Sequence, residues 1–220
     1  CALPISYSTP FPSTPPDSAT ITTAYPTITK TIVSTSQAHT TGTDVAIGEK
    51  VKYLVHIRVP EGTFTTVKIE DVLDSGLAVA DSSVTAVAAS SNISGTPPII
   101  SGGSLNGVIS NSGGKITFNL GTVNNSNTIN GDEEYIEFMY EAVVLNVTGN
   151  VQGTMLNNTV TWTSDQCNPP GVSAVEPVKV VEPKLQITKT AVNAAGQPIT
   201  SADAGDEIFW MITVTNQSPS

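Results

Sequence analysis

The chain has 220 residues, 39% of them hydrophobic, and carries 19 acidic against 9 basic side chains for a net charge of −10. That length suits one domain with fragments or two small ones, and the apolar share can fill a two-sheet core, which argues against a disordered chain. An acidic chain without a basic patch is a poor partner for nucleic acid or anionic membranes, and no run is long and apolar enough to span a bilayer or has the build of a signal peptide.

Residues 1–24 are rich in Pro, Ser and Thr, with Pro10, Pro12, Pro15 and Pro16 close together, and read as an extended linker or the end of a preceding module. Beyond them, short alternating segments stand between turn residues, the pattern of an all-β sandwich or barrel. Thr27 to Val33 is the first predicted strand. Lys50 to Val59 is the clearest: Val51, Tyr53, Val55, Ile57 and Val59 share one face, opposite Lys50, Lys52, His56, Arg58 and Leu54. After the turn Pro60-Glu61-Gly62, Thr65 to Leu73 sets Val67, Ile69 and Asp71 on one face. Val84 to Ala88 is a short strand, and the Gly/Ser/Asn-rich stretch Ser90 to Gly114 is a long connection with short strands of its own. Lys115 to Leu120 turns Ile116, Phe118 and Leu120 inward. Tyr135 to Val147 does so with Ile136, Phe138, Tyr140, Ala142 and Val144, and Thr154 to Thr163 closes the set with Leu156, Asn158, Val160 and Trp162. The sum predicts an all-β, Greek-key, immunoglobulin-like β-sandwich.

The opening of this unit recurs. Ile28-Thr29-Lys30-Thr31 followed by Ala46-Ile47-Gly48-Glu49 returns, a domain's length later, as Ile187-Thr188-Lys189-Thr190 followed by Asp203-Ala204-Gly205-Asp206. This predicts tandem repeats: a sandwich over residues 25–182 and the start of a second, incomplete repeat over 183–220. Pro177 and Pro183 mark a short, semi-stiff joint. Because the pattern breaks off inside the second copy, the chain is expected to be a piece of a longer multi-domain protein. The shared glycines make Tyr53 and Trp210 equivalent inward positions, and likewise Val55 and Ile212.

Three polar residues interrupt three inward apolar rows. Lys30 lies between Ile28 and Ile32, Asp71 follows Val67 and Ile69, and Asn158 lies between Leu156 and Val160. Burying a lone lysine is costly unless it is paired or uncharged. Burial lowers a lysine pKa and raises an aspartate pKa, so a buried pair can exist as neutral amine and neutral acid. A neutral amine is a nucleophile, and an asparagine carbonyl that accepts a hydrogen bond from a protonated Asp is an electrophile. Together they can form a Lys–Asn isopeptide bond with loss of ammonia, tying the first strand to the last. Each residue also has a plain structural reading. Lys30 can be a strand-edge lysine reaching water, Asp71 a turn cap, and Asn158 a core amide satisfied by backbone groups.

These motifs, with Asp44-Val45-Ala46-Ile47-Gly48-Glu49, Glu70-Asp71-Val72-Leu73-Asp74-Ser75-Gly76-Leu77 and Leu156-Asn157-Asn158-Thr159-Val160-Thr161, resemble the bacterial surface-protein repeats known as DUF11 domains. They also resemble the isopeptide-forming domains of fimbrial and adhesin proteins. The resemblance covers about residues 25–182 and the opening of the next repeat. It implies that Lys30 bonds Asn158 with Asp71 as the catalytic proton donor, and that the protein is extracellular, at the cell surface or secreted.

Other signals are weaker. Cys1 and Cys167 belong to no CxxC pair, which argues against zinc; they are a candidate disulfide or two unpaired thiols. His39 and His56 stand apart and read as surface residues, and Asp132, Glu133 and Glu134 as a solvated turn. No metal or cofactor site is expected. No GxSxG elbow or phosphate loop occurs, so the chain is not expected to be an enzyme. The leading expectation is a structural repeat of an extracellular surface protein, a stalk or fibre segment whose partners are neighbouring repeats. The alternatives are an adhesin module binding a host or cell-surface ligand through the Ser90–Gly114 connection, and a filament subunit that pairs residues 185–215 with a like chain by strand addition.

Overall fold

The computed structural model describes residues 24–217 apart from 81–83, 97–99, 102–103, 106–107, 112–113, 130 and 168–170; Cys1 and the expected linker up to residue 23 lie outside this set. Among the described residues there is no helix. The first strands are β1 (Thr27–Thr35), β2 (Asp44–Val45), β3 (Lys50–Arg58), β4 (Gly62–Leu73), β5 (Leu77–Val79) and β6 (Thr85–Ala89). The Gly/Ser-rich connection contains β7 (Ile93–Thr96), β8 (Ile100–Ser101), β9 (Ser104–Leu105) and β10 (Val108–Asn111). Next come β11 (Lys115–Asn125), β12 (Tyr135–Val144), β13 (Met155–Leu156), β14 (Asn158–Thr163), β15 (Val172–Val175) and β16 (Val178–Val180). The chain ends with β17 (Leu185–Val192) and β18 (Phe209–Asn216).

Two sheets make the sandwich. One runs β1-β3-β12-β5, with β6 beside β12; the other runs β10-β11-β4-β14-β15, with β7 beside β11. In immunoglobulin terms the first corresponds to strands A, B, E and D, and the second contains C, F and G. Period-2 alternation builds the core. Val51, Tyr53, Val55 and Ile57 of β3 and Ile136, Phe138, Tyr140 and Ala142 of β12 have no exposed surface. From the facing sheet come Ile69, Ile116, Phe118, Val160 and Trp162, equally buried. Phe118 and Phe138 bridge the two sheets at 4.7 Å between ring centres, and within the second sheet Phe64 meets Trp162 edge-on at 5.9 Å.

β4 begins earlier than its alternation suggests. Phe64 and Val67 are both buried although they lie an odd number of residues apart. A bulge reconciles them: Thr66 takes a left-handed φ of 55°, and the pairing with β11 shifts register around Gly121. Without that extra residue, Ile69 and Asp71 would face outward while Phe64 faced the core. The expected strand from Thr154 to Thr163 is also broken. The Asp74 N–H donates 2.9 Å to the Asn157 carbonyl, and the Asn157 N–H donates 2.6 Å to the Asp74 carboxylate. Leu156 therefore joins a small separate sheet, β13-β16-β2, in which β16 pairs parallel with β2, while β14 joins the sandwich.

The described residues up to Val180 form one compact unit and those from Val181 a second. The second is the hairpin β17–β18, and its register repeats the first. Lys189 lies opposite Ile212 and Ala191 opposite Trp210, as Lys30 lies opposite Val55 and Ile32 opposite Tyr53. The turns match as well. Gly48 and Gly205 take φ of 83° and 100°, and Glu49 and Asp206 each accept a backbone N–H from three residues back, at 2.7 and 2.8 Å. Burial does not match: Tyr53 is fully buried whereas Trp210 is 57% exposed. A lone hairpin has no facing sheet to cover it.

Two surface expectations change. Glu134 is buried, with Asn127 and Asn125 side chains donating to its carboxylate. His56 is not a free surface imidazole: Nδ1 lies 2.8 Å from Glu137 and Nε2 2.7 Å from Glu133. Burial alone would lower its pKa, but the hydrogen bonds to Glu137 and Glu133 outweigh it and raise the value. A raised pKa contributes stability that is present at acid pH and lost as pH rises through the folded value. His56→Ala should therefore cost up to about 1 kcal/mol near pH 5 and almost nothing near pH 9, because the site is partly solvated. Urea melts at the two pH values check this, and an equal loss at both would contradict it.

Candidate functional site

Lys30 enters the core from β1 in one sheet, and Asp71 and Asn158 from β4 and β14 in the other. β14 pairs with β4 so that Val160 faces Asp71 and Asn158 faces Leu73, which sets Asp71 and Asn158 diagonally on one inward face. Lys30 meets both. Its Nζ donates 2.5 Å to Asp71 Oδ1 and 2.6 Å to Asn158 Oδ1, and neither the Lys30 nor the Asp71 side chain has any exposed surface. Asn158 is equally buried. The structure thus brings all three sequence-selected residues into one cluster, and the readings of Lys30 as solvent-reaching and Asp71 as a turn cap do not describe it.

Two tyrosines complete the pocket. Tyr53 and Tyr140 lie directly opposite each other on β3 and β12 and stack at 5.5 Å. The Lys30 ammonium sits 5.2 and 5.4 Å from their ring centres, within cation–π range. Asn158 Nδ2 donates 2.7 Å to the Tyr140 hydroxyl. The carboxamide is therefore held from both ends, oxygen toward Lys30 and nitrogen toward Tyr140.

Burial dominates the electrostatics. It lowers the Lys30 pKa to about 8, against the opposing pull of Asp71 and, more weakly, of Glu176. Burial likewise raises Asp71 above the usual carboxylate range, again opposed by Lys30. Burial pushes both tyrosines up, Tyr140 well beyond its ordinary value. These shifts favour moving one proton from amine to acid. The pair then presents a neutral amine beside a carboxamide and a protonated carboxyl.

Sequence reasoning missed Tyr140, Tyr53 and Glu176. Both tyrosines stand in alternating apolar rows, where their rings predict burial but nothing marks their hydroxyls. Cys167 is buried and is not a free thiol; Cys1, its candidate partner, lies outside the described residues. Among the described residues no three His, Cys, Asp or Glu side chains converge as a metal site.

No family model matches the chain, and no curated protein matches it significantly. Solved structures do. The pilus backbone protein RrgB of Streptococcus pneumoniae is 15% identical with a TM-score of 0.47, over 88% of this chain and 47% of that one. The major pilin subunit BcpA of Bacillus cereus is 14% identical with a TM-score of 0.40, over 85% and 55%. A backbone pilin of Streptococcus pyogenes is 16% identical with a TM-score of 0.42, over 87% and 44%. The chain spans about half the length of these structures. The class its own fold and site define is an all-β sandwich with a buried Lys–Asp–Asn cluster.

Proposed function

We propose that residues 25–182 form a load-bearing, non-enzymatic module of an extracellular surface or fibre protein, closed by a Lys30–Asn158 isopeptide bond with Asp71 as proton donor. In this reading, residues 183–220 open the next repeat, and the partners are neighbouring repeats and like subunits. The observation that carries it is the Lys30 amine held 2.5–2.6 Å from both Asp71 and Asn158 with no exposed side-chain surface. In the reaction, the Lys30 lone pair attacks Asn158 Cγ while Asp71 protonates Oδ1. An N–C bond forms, the Cγ–Nδ2 bond breaks, and ammonia leaves.

The bond joins β1, the first strand, to β14. Tension applied at the two ends then passes through a covalent link instead of peeling the strands between. Intact-mass spectrometry should find the folded chain lighter than its sequence by one ammonia, and Lys30→Met without that loss; an unshifted wild-type mass overturns the bond. Antibodies to residues 25–182 should label intact cells of the source organism, and labelling only after lysis would overturn the surface role.

A further inference from the structure

Tyr140 touches the one atom of Asn158 that the proposed reaction must expel. Lys30 and Asp71 gather at the other end of the carboxamide: Lys30 Nζ donates to Asn158 Oδ1 at 2.6 Å and to Asp71 Oδ1 at 2.5 Å. On the nitrogen side stands the Tyr140 hydroxyl, 2.7 Å from Nδ2, with both side chains fully buried. An amide nitrogen does not depart as an anion in a low-dielectric interior; it needs a proton as its bond to carbon breaks. Resting on the isopeptide reading, we infer that Tyr140 is a catalytic residue of the cross-linking step, delivering the proton with which the Asn158 nitrogen leaves as ammonia.

The protons balance. Attack by the neutral Lys30 amine, with Asp71 protonating Oδ1, gives a tetrahedral carbon and an Asp71 carboxylate. Asp71 then recovers a proton from the attacking nitrogen. As the Cγ–Nδ2 bond breaks, Tyr140 gives its proton to that nitrogen and is reprotonated by Asp71. Asp71, a carboxylate again, takes the Oδ1 proton as the carbonyl reforms. Lysine amine and asparagine amide become a secondary amide and ammonia, with Asp71 and Tyr140 regenerated. Asp71 is placed to reprotonate Tyr140, since its Oδ2 is buried with no other hydrogen-bond partner and its charge acts on the Tyr140 hydroxyl. Burial keeps Tyr140 protonated wherever Lys30 can be neutral, so it serves as an acid and not as a phenolate.

Tyr140→Phe is the test. It keeps the ring stacked on Tyr53 and removes only the oxygen. Chain purified unfolded in urea is refolded, folding is followed by tryptophan fluorescence, and cross-linking is followed by the mass of quenched samples. Tyr140→Phe should fold like wild type but cross-link about a hundredfold more slowly, the usual size of a general-acid contribution. Its rate should also fall steadily with rising pH across the range where the wild-type rate is level, because solvent must then supply the proton. A hydroxyl that merely positioned the amide would slow the reaction equally at every pH. Equal rates, or a slowed rate with an unchanged pH profile, overturn the inference. A wild-type chain that never loses ammonia overturns the isopeptide reading itself. Should Tyr140→Phe fail to fold, 3-fluorotyrosine placed at position 140 alone gives a more acidic hydroxyl on the same ring and should speed the reaction; an unchanged rate counts against the role.

Discussion

Asp71→Ala should arrive at its full sequence mass and should be less stable than wild type by about 5 kcal/mol or more. Two effects combine. The first is loss of the cross-link between residues 30 and 158. By analogy with a disulfide that closes a loop of comparable length, the restriction lost from the unfolded chain is worth about 4–5 kcal/mol. The second is the stranding of Lys30. Its amine keeps one carbonyl acceptor at 2.6 Å but loses the Asp71 carboxylate bonded to it, and breaking a buried ion pair by removing one partner costs about 3–5 kcal/mol. Lys30 can shed part of that second cost by becoming neutral, because burial already lowers its pKa to about 8. The two effects are therefore not additive, and the larger sets the scale. Against a typical domain stability of about 5–15 kcal/mol, the loss should appear as a large drop in Tm and in urea midpoint. Full sequence masses for both proteins together with a change below about 1 kcal/mol would remove both the bond and the buried pair.

Much of this site was legible because polar residues in apolar rows are costly, and their cost makes them visible. Lys30, Asp71 and Asn158 each interrupt an alternating apolar pattern, and the pleat puts all three on the inward face. Tyr140 was not legible. Its ring satisfies the row formed by Ile136 and Phe138, and only the fold shows that its hydroxyl meets an amide from the opposite sheet. The bulge in β4 was hidden for a different reason. Thr66 adopts φ 55° with no glycine to announce it, so the strand was started too late and Phe64 was left out of the core. The break at Asn157 depends on Asp74, far away in sequence, and long-range pairing of that kind leaves no local signal. Glu134 was misread because a run of three acidic residues looks solvated, while its asparagine partners at 125 and 127 lie across a turn. In the second unit the turn chemistry of Gly205 and Asp206 was readable, but the exposure of Trp210 was not, since burial depends on a facing layer that a hairpin does not supply.

Trp162→Ala should cost about 3–5 kcal/mol, the range for removing a large buried aromatic side chain, and yet the chain should still lose its ammonia. Trp162 has no exposed surface and meets the edge of Phe64 at 5.9 Å. Truncation removes that contact and opens a cavity between β14 and the start of β4, which close packing of the surrounding side chains cannot fully collapse. Trp162 lies on the same strand as Asn158, but at its other end, opposite Ile69 instead of Leu73. The pairing that aims Asn158 at Lys30 is therefore left in place. Even a module brought close to its stability limit spends much of its time folded, and an irreversible step drains that population to completion. Asp71→Ala and Trp162→Ala should thus melt in a similar range for unlike reasons, one for want of a bond and a charge partner, the other for want of packing. Mass spectrometry tells them apart, because Trp162→Ala alone should be light by one ammonia. If Trp162→Ala folds, shown by a native-like far-UV spectrum and a cooperative melt, and still keeps its full mass after prolonged incubation, then packing at the far end of β14 controls the geometry of the reacting groups, and the independence argued here is wrong.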